Sequence, residues 1–171
     1  ISNIPAGLPV MVTGATGSIG REICRALGRL GVPLIMACRS ETRFADVYGR
    51  ILKDIPQFDA RWLPLDLSSS ARVTESVTML KDTRLAGVIN NAGTMERRFS
   101  RSEDGPELTM NVNFHNTRLL NQLLLPNVAE GGSIVFTTSL TRRRWPQTHL
   151  PLEVDARSFG QLTTYSLSKA W

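Results

Sequence analysis

The chain has 171 residues, the length of one domain, and its composition of 42% hydrophobic and 20% charged residues supports a buried core and excludes intrinsic disorder. The net charge is +5, with arginines clustered at 97, 98 and 101 and at 142–144. Both clusters lie in predicted loops, neither follows a helix face and Trp145 alone is no stacking platform, so we expect solvated loops or a small anionic ligand rather than nucleic acid.

Apolar runs of strand length alternate with helical patterns along the chain, and each pair fits one βα unit. The predicted strands are Leu8–Thr13, Pro33–Cys38, Arg61–Leu67, Leu85–Asn90 and Gly132–Ser139. Runs such as "GVIN" and "SIVF" are apolar on both faces, which is typical of a sheet covered by helices on each side.

Helical patterns fill the intervals between these strands. The apolar faces of the first three are Ile19, Ile23, Leu27 and Leu30, then Phe44, Val47, Ile51 and Ile55, then Val73, Val77 and Leu80. A long fourth helix ends at Pro126. This order predicts an α/β fold, a Rossmann-type doubly wound parallel sheet with helices on both faces and a ligand crevice at the carboxyl ends of the strands.

The stretch "VTGATGSIG", residues 12–20, ends the first strand and opens the first helix. Gly14 permits a tight turn, Gly17 or Ser18 borders a pyrophosphate, and Gly20 lets the helix pack closely on its strand. Backbone N–H groups at the start of a helix bind phosphate, so the stretch predicts a nucleotide site. A plain turn is the alternative.

The end of the second strand bears on the choice of cofactor. Arg39 and Ser40 stand where an acidic residue would bind the ribose hydroxyl of NAD, and the first carboxylate is Glu41. An arginine suits the 2′-phosphate of NADP instead. The sequence therefore favours NADP(H), unless the Arg39 side chain points to solvent.

Four motifs in order carry a family resemblance: "TGATGSIG", "NNAG" at 90–93, "TTS" ending at Ser139 and "YSLSK" at 165–169. Together they resemble the short-chain dehydrogenase/reductase family. The segment "VNFHNTRLLNQLLLP" and the 26 residues from Ser139 to Tyr165 resemble its retinol-dehydrogenase-like and carbonyl-reductase-like branch.

The resemblance implies a set of site residues. The catalytic group is Asn113, Ser139, Tyr165 and Lys169. The residues implied to bind the cofactor are Gly14, Thr16, Gly17, Ser18, Ile19, Gly20, Arg39, Ser40, Asp66, Leu67, Asn91, Ala92, Gly93, Tyr165 and Lys169. Asp66 would hold the adenine amino group, and Asn113 would hold a water that links Lys169 to solvent.

Reduction of a carbonyl requires a proton donor beside the oxygen that becomes an alcohol. A phenol with an ordinary pKa of about 10 donates poorly near neutral pH, and a neighbouring cation makes it a stronger acid. Lys169 follows Tyr165 by four residues, which places both side chains on one helix face. Ser139 would hydrogen-bond the substrate oxygen. We expect a hydride transfer between NADP(H) and the carbonyl or secondary alcohol of an apolar substrate.

Two other functions stay open. Gly14, Gly17 and Gly20 also follow the glycine rhythm of the extended branch of the family, which modifies sugar nucleotides as epimerases and dehydratases. A nucleotide-binding scaffold without turnover would keep the glycine stretch, Arg39 and "NNAG". A panel of substrates separates these functions.

The remaining features concern location and assembly. Cys24 and Cys38 form no C-x-x-C pair, which favours free thiols in a reducing, cytoplasmic compartment, and no apolar run has the ~18 residues of a membrane span. His115 and His149 have no partner at metal-ligand spacing. The leucines at 119, 120, 123 and 124 suit either a homo-oligomer contact or core packing. Because the chain starts at Ile1 and stops at Trp171, we expect residues 1–171 to be a single NADP-binding domain that is incomplete at its C-terminus.

Overall fold

A five-stranded parallel sheet forms the centre of the molecule. The computed structural model describes residue 5, residues 7–144 and residues 153–170, so Trp145, His149 and Trp171 lie outside the described part. The strands are β1 Val10–Thr13, β2 Leu34–Cys38, β3 Ala60–Pro64, β4 Leu85–Asn90 and β5 Val128–Phe136. Their order is β3-β2-β1-β4-β5, with every neighbouring pair parallel. The predicted doubly wound sheet is confirmed.

Helices cover both faces of the sheet. They are α1 Ser18–Arg29, α2 Glu41–Asp54, α3 Ser70–Thr78, α4 Leu108–Met110, α5 Asn116–Leu124 and α6 Gln161–Ser168. One core cluster joins the sheet to α1 and α2, and another joins its opposite face to α3 and α5. Leu120 and Leu124 are fully buried in the second cluster, and Leu119 and Leu123 pack against it, so this leucine run serves the core.

The buried face of α1 matches the prediction only in part, since Ile23 and Leu27 pack against the core as predicted. Ile19 and Leu30 are 61% and 53% exposed, whereas Gly20, Cys24 and Gly28 face the sheet. The helix lies too close to its neighbours for larger side chains, because a Cβ at Gly28 would lie 2.4 Å from the Phe58 ring. Small residues at this spacing therefore form the contact face.

Two strand predictions were wrong at their ends. β3 stops at Pro64 because its partner β2 stops at Cys38, which leaves Leu65–Leu67 in the loop at the carboxyl edge. β5 likewise stops at Phe136 opposite Asn90, three residues before Ser139. The "SIVF" run of β5 was predicted to be covered by helices on both faces, but Phe136 is 57% exposed.

The long fourth helix of the prediction is interrupted. A π-helical turn, Asn111–His115, joins α4 to α5, and a 3₁₀ turn, Leu125–Asn127, contains Pro126. The N–H of Asn116 donates to the carbonyl of Asn111, five residues earlier, as a π turn requires. No helix in the described part of the chain is long and apolar enough to cross a membrane.

Candidate active site

A cleft of about 680 Å³ runs along the carboxyl ends of β1, β2, β3 and β4. Its lining includes every residue proposed above for the cofactor except Tyr165 and Lys169, namely Gly14, Thr16, Gly17, Ser18, Ile19, Gly20, Arg39, Ser40, Asp66, Leu67, Asn91, Ala92 and Gly93. The cleft lies at the switch point of the sheet, where β1 stands between β2 and β4. Ligands of doubly wound folds bind at this position.

A turn that begins at Gly14 and ends at Gly17, here called the glycine turn, forms one wall of the cleft. Gly14 has a φ of +63°, and a Cβ there would lie 2.8 Å from the Cα of Ala92. The N–H of Gly17 donates to the carbonyl of Gly14 at 3.0 Å and closes the turn. Glycine is therefore required at position 14 by both conformation and space.

The N-terminus of α1 opens onto this turn. Gly17 is the N-cap residue, and no side chain caps the helix. A Cβ at Gly20 would lie 2.3 Å from the carbonyl oxygen of Gly14, so the helix can approach the turn only with glycine there. The first N–H groups of the helix thus face the cleft and fit the pyrophosphate of a dinucleotide.

The end of β2 supplies positive charge. Arg39 and Arg43 line the cleft and are both exposed, while the Ser40 hydroxyl accepts from the N–H of Arg43 at 3.2 Å and caps α2. Arg43 was missed by the sequence analysis. Its signal was its position one turn into the helix that Ser40 opens, where a side chain leans back toward the N-terminus.

Asp66 lies in the loop after β3 and is held in one orientation. Its Oδ1 accepts from the N–H and the hydroxyl of Ser68, at 3.0 and 2.8 Å, and its Oδ2 accepts from Arg72 at 3.1 Å. Partial burial acts to raise the pKa of this carboxyl, but the Ser68 hydrogen bonds and the charges of Arg39 and Arg72 outweigh it and lower the pKa. The carboxylate is therefore ionised at neutral pH.

Asn91 supports the glycine turn rather than only lining the cleft. Its Nδ2 donates to the carbonyls of Thr13 and Gly14, at 3.1 and 3.3 Å. The Thr13 hydroxyl in turn accepts from the N–H groups of Asn91 and Ala92. The ends of β1 and β4 are tied together at the floor of the cleft.

Tyr165 and Lys169 meet at the end of α6. Lys169 Nζ lies 5.9 Å from the centroid of the Tyr165 ring and donates to the carbonyl of Thr137 at 3.3 Å. Burial lowers the pKa of this ammonium group. Gly93 links this pair to the cleft, since a Cβ there would lie 3.2 Å from Lys169 Nζ.

Asn113 lies beside the same lysine, in the π-helical turn. Its Nδ2 donates to the carbonyl of Thr94 at 2.8 Å and to the Ser168 hydroxyl at 2.9 Å, and its Oδ1 accepts from the N–H of Thr94. Both amide protons are thus used within the protein. A cavity of about 50 Å³, large enough for a water, is lined by Asn113, Ser168 and Lys169.

The Ser139 hydroxyl is directed elsewhere. It accepts from the N–H and the hydroxyl of Thr141, at 3.3 and 2.9 Å, at the start of the 3₁₀ turn Leu140–Arg144. Within the described residues no hydrogen bond joins it to Tyr165. Three of the four proposed catalytic residues therefore come together, whereas the Ser139 hydroxyl is bound by Thr141 in this conformation.

Residues 9–149 match the family model described as short chain dehydrogenase. The chain belongs to the short-chain dehydrogenase/reductase family. Its relatives place it in the retinol-dehydrogenase-like branch of that family.

Three curated relatives illustrate this similarity. The chain is 37% identical over 144 residues to the short chain dehydrogenase/reductase dpchH of Colletotrichum higginsianum. The aligned region covers 79% of the chain and 36% of that protein. It is 37% identical to polyprenol dehydrogenase of Mus musculus, over 74% of the chain and 38% of that protein. Retinol dehydrogenase 14 of Mus musculus is 33% identical over 70% of the chain and 39% of its own length. The chain thus spans less than two fifths of the length of these short-chain dehydrogenase/reductase proteins.

Solved structures share the fold over nearly the whole chain. A protein of Escherichia coli CFT073, solved in complex with NADPH, superposes with a TM-score of 0.75 and 27% identity over 99% of this chain and 69% of its own. The oxidoreductase YciK of Escherichia coli gives a TM-score of 0.75 with 26% identity over 99% of this chain and 68% of its own. A short-chain dehydrogenase/reductase fold similar to this one therefore holds NADPH.

Proposed function

We propose that this protein is an NADP(H)-dependent oxidoreductase that transfers a hydride between nicotinamide and the carbonyl or secondary alcohol of an apolar small molecule. The observation that carries the proposal is the juxtaposition at Gly93. This residue lines the cleft that the glycine turn shapes, and a Cβ on it would touch the Lys169 ammonium, which lies beside the Tyr165 ring. A dinucleotide along the cleft would thus end next to a phenol and a cation.

The choice of NADP(H) rests on Arg39 and Arg43. Both arginines lie at the end of the cleft where the ribose of the adenosine half would lie, next to the N-terminus of α2. A 2′-phosphate would accept charge-assisted hydrogen bonds from both guanidinium groups. NADH offers only a hydroxyl at that position, so the arginines would favour NADPH.

NADPH held in the cleft would supply a hydride to the carbonyl carbon. Tyr165 donates its phenolic proton to the carbonyl oxygen, so that hydride and proton together yield the alcohol. Lys169 stabilises the phenolate that remains, and the small cavity beside Asn113 provides room for a water that returns the proton. Ser139 would have to exchange its bond with Thr141 for one to the substrate oxygen.

The names of two relatives support an apolar substrate. Polyprenol dehydrogenase and retinol dehydrogenase 14 are named for alcohols with long hydrocarbon portions. The branch to which the chain belongs also argues against the sugar nucleotides that the glycine rhythm left open.

The test is NADPH oxidation against a panel of apolar aldehydes and ketones, comparing Tyr165→Phe with Tyr48→Phe. Tyr48 is the chain's other tyrosine, and it stacks on Phe44 in α2, away from the cleft. We expect Tyr165→Phe to lower kcat by about 10²–10⁴-fold and Tyr48→Phe to leave it unchanged. NADPH binding without any turnover that depends on Tyr165 would instead identify a nucleotide-binding scaffold.

A second measurement tests the cofactor. We expect Arg39→Ala and Arg43→Ala each to weaken NADPH binding by about tenfold or more, since each removes a charged hydrogen bond, and to leave NADH binding unchanged. Arg50→Ala is the matched control, because Arg50 lies on α2 and pairs with Asp46. Equal losses for NADPH and NADH would contradict the assignment of the 2′-phosphate to these arginines.

A further inference from the structure

One carboxylate in the loop between β4 and α4 receives hydrogen bonds from three separate parts of the chain. Asp104 accepts from the N–H and the hydroxyl of Ser70 at the start of α3, at 2.9 and 2.8 Å. Its Oδ2 also accepts from Nδ2 of Asn111, at 2.9 Å, and from Nδ2 of Asn116, at 2.8 Å. Asp104 lines neither the cleft nor the cavity beside Lys169.

The π-helical turn explains how two asparagines five residues apart reach one oxygen. In a regular α-helix, residues i and i+5 point about 140° apart, because each residue turns the helix by about 100°. The π turn adds a residue to that helical turn, so Asn111 and Asn116 stack on one side. Asn113 lies on the other side, where Thr94 and Ser168 hold it independently.

The same two asparagines hold the loop that follows β3. Asn111 Nδ2 also donates to the carbonyl of Ser68, at 3.2 Å, and Asn116 Nδ2 donates to the carbonyl of Leu67, at 3.0 Å. Leu67 and Ser68 line the cleft directly after Asp66. Each amide therefore bridges the Asp104 carboxylate to the backbone of the loop.

The Asp104 carboxylate orients these amides. Desolvation acts to raise its pKa, but the hydrogen bonds from Asn111, Asn116 and Ser70 lower the pKa to about 2. An ionised carboxylate accepts only, so both amides must turn their N–H groups toward it and, with the same nitrogen, toward the loop carbonyls. Without it, each amide would keep only the loop carbonyl as an acceptor and would be held less firmly against the loop.

We propose that Asp104 is a positioning residue that sets the affinity for the adenosine half of the cofactor. It does so through Asn111 and Asn116, which fix the backbone of Leu67 and Ser68 against that half. This role rests on the cofactor site in the proposed function. Because Asn113 is held separately, the effect falls on cofactor binding rather than on the chemical step.

A matched control exists at the opposite edge of the sheet. Asn127 is buried, and its Nδ2 donates to the carbonyls of Leu80 and Thr83, at 2.7 and 2.9 Å, before β4 begins. Asn127→Ala thus removes a clamp of similar kind, in which a buried amide holds two backbone carbonyls, at a place that does not line the cleft. A general loss of stability would follow from either change.

The experiment measures the Kd of adenosine 2′,5′-bisphosphate and of NADPH by calorimetry, with kcat at saturating NADPH and the urea midpoint for each variant. We expect Asp104→Ala to weaken binding of the bisphosphate by about tenfold or more while kcat stays within about threefold. Asp104→Asn, which keeps one acceptor oxygen and retains the shape, should give a smaller loss. Asn127→Ala should lower the urea midpoint and leave both Kd values unchanged.

Two results would overturn the proposal. An unchanged bisphosphate Kd in both Asp104 variants, or an equal loss in Asn127→Ala, would reduce Asp104 to a residue of general stability. Failure of the wild-type protein to bind either ligand would overturn the proposed function and this role together, so the two failures are distinguishable.

Discussion

The substitution Gly20→Ala tests the close approach of α1 to the glycine turn. The added Cβ would lie 2.3 Å from the carbonyl oxygen of Gly14 and 2.8 Å from Nδ2 of Asn91. The oxygen belongs to the backbone of a turn that Gly14 closes with a φ of +63°, so it cannot move as a side chain would. The helix itself must shift away from the turn.

The size of the effect follows from two opposing contributions. Alanine in a helix interior is favoured over glycine by about 1 kcal/mol. Overpacking costs about 1–3 kcal/mol, and contact with rigid backbone places this site at the upper end. The net loss is about 2 kcal/mol, which in a chain of this size lowers Tm by about 4–8 °C.

Gly49→Ala is the matched control. Gly49 lies in α2, and a Cβ there would meet no atom within 4 Å. Only the helix preference applies, so we expect Tm to rise by about 2–4 °C. The assay is thermal unfolding followed by circular dichroism, with NADPH titration as a second readout. A rise in Tm for Gly20→Ala as large as that for Gly49→Ala would refute the close approach.

Three further predictions concern ionisable groups. The pKa of Asp104 is lowered from 3.8 to about 2, so its contribution to stability is complete above pH 3.8 and is lost as the pH falls toward 2. In urea unfolding across that range, the free energy of unfolding should therefore fall less in Asp104→Asn than in the wild type. Because burial lowers the pKa of Lys169, the wild type should gain stability relative to Lys169→Met as the pH rises toward 10.5. If the two free energies of unfolding differed by the same amount at every pH, the result would contradict this burial. Cys24, whose pKa is raised to about 12 by burial and by the nearby Cys38, should resist iodoacetamide at pH 8 until the protein is unfolded, as mass spectrometry would detect.

The residues that local patterns predicted for the cofactor line one cleft because each of their segments follows a strand. In a parallel sheet all carboxyl ends lie at one edge, so Gly14, Arg39, Asp66 and Asn91 had to approach one another once the alternation of strands and helices was recognised. Arg43 was missed because the prediction considered only the residues that directly follow a strand, and Arg43 lies one turn inside α2.

Other features depended on partners distant in sequence. The end of β3 was set by β2, and the need for glycine on the contact face of α1 was set by the Phe58 ring and the glycine turn. β5 ended at Phe136 opposite Asn90 of β4, which left Ser139 outside the sheet. Such outcomes depend on which atoms another element places nearby.

The order of apolar runs, glycines and the Tyr165–Lys169 spacing by itself determined the α/β class, the edge of the sheet that carries the site and the chemistry to expect there. These are consequences of backbone periodicity, which each segment carries alone. Tertiary structure decided the π turn and the Asp104 contacts, which bring together Ser70, Asn111 and Asn116. Hydrogen bonds between elements form only when packing places a donor and an acceptor within about 3 Å. The residue pattern of one segment does not determine its distance from atoms of another segment.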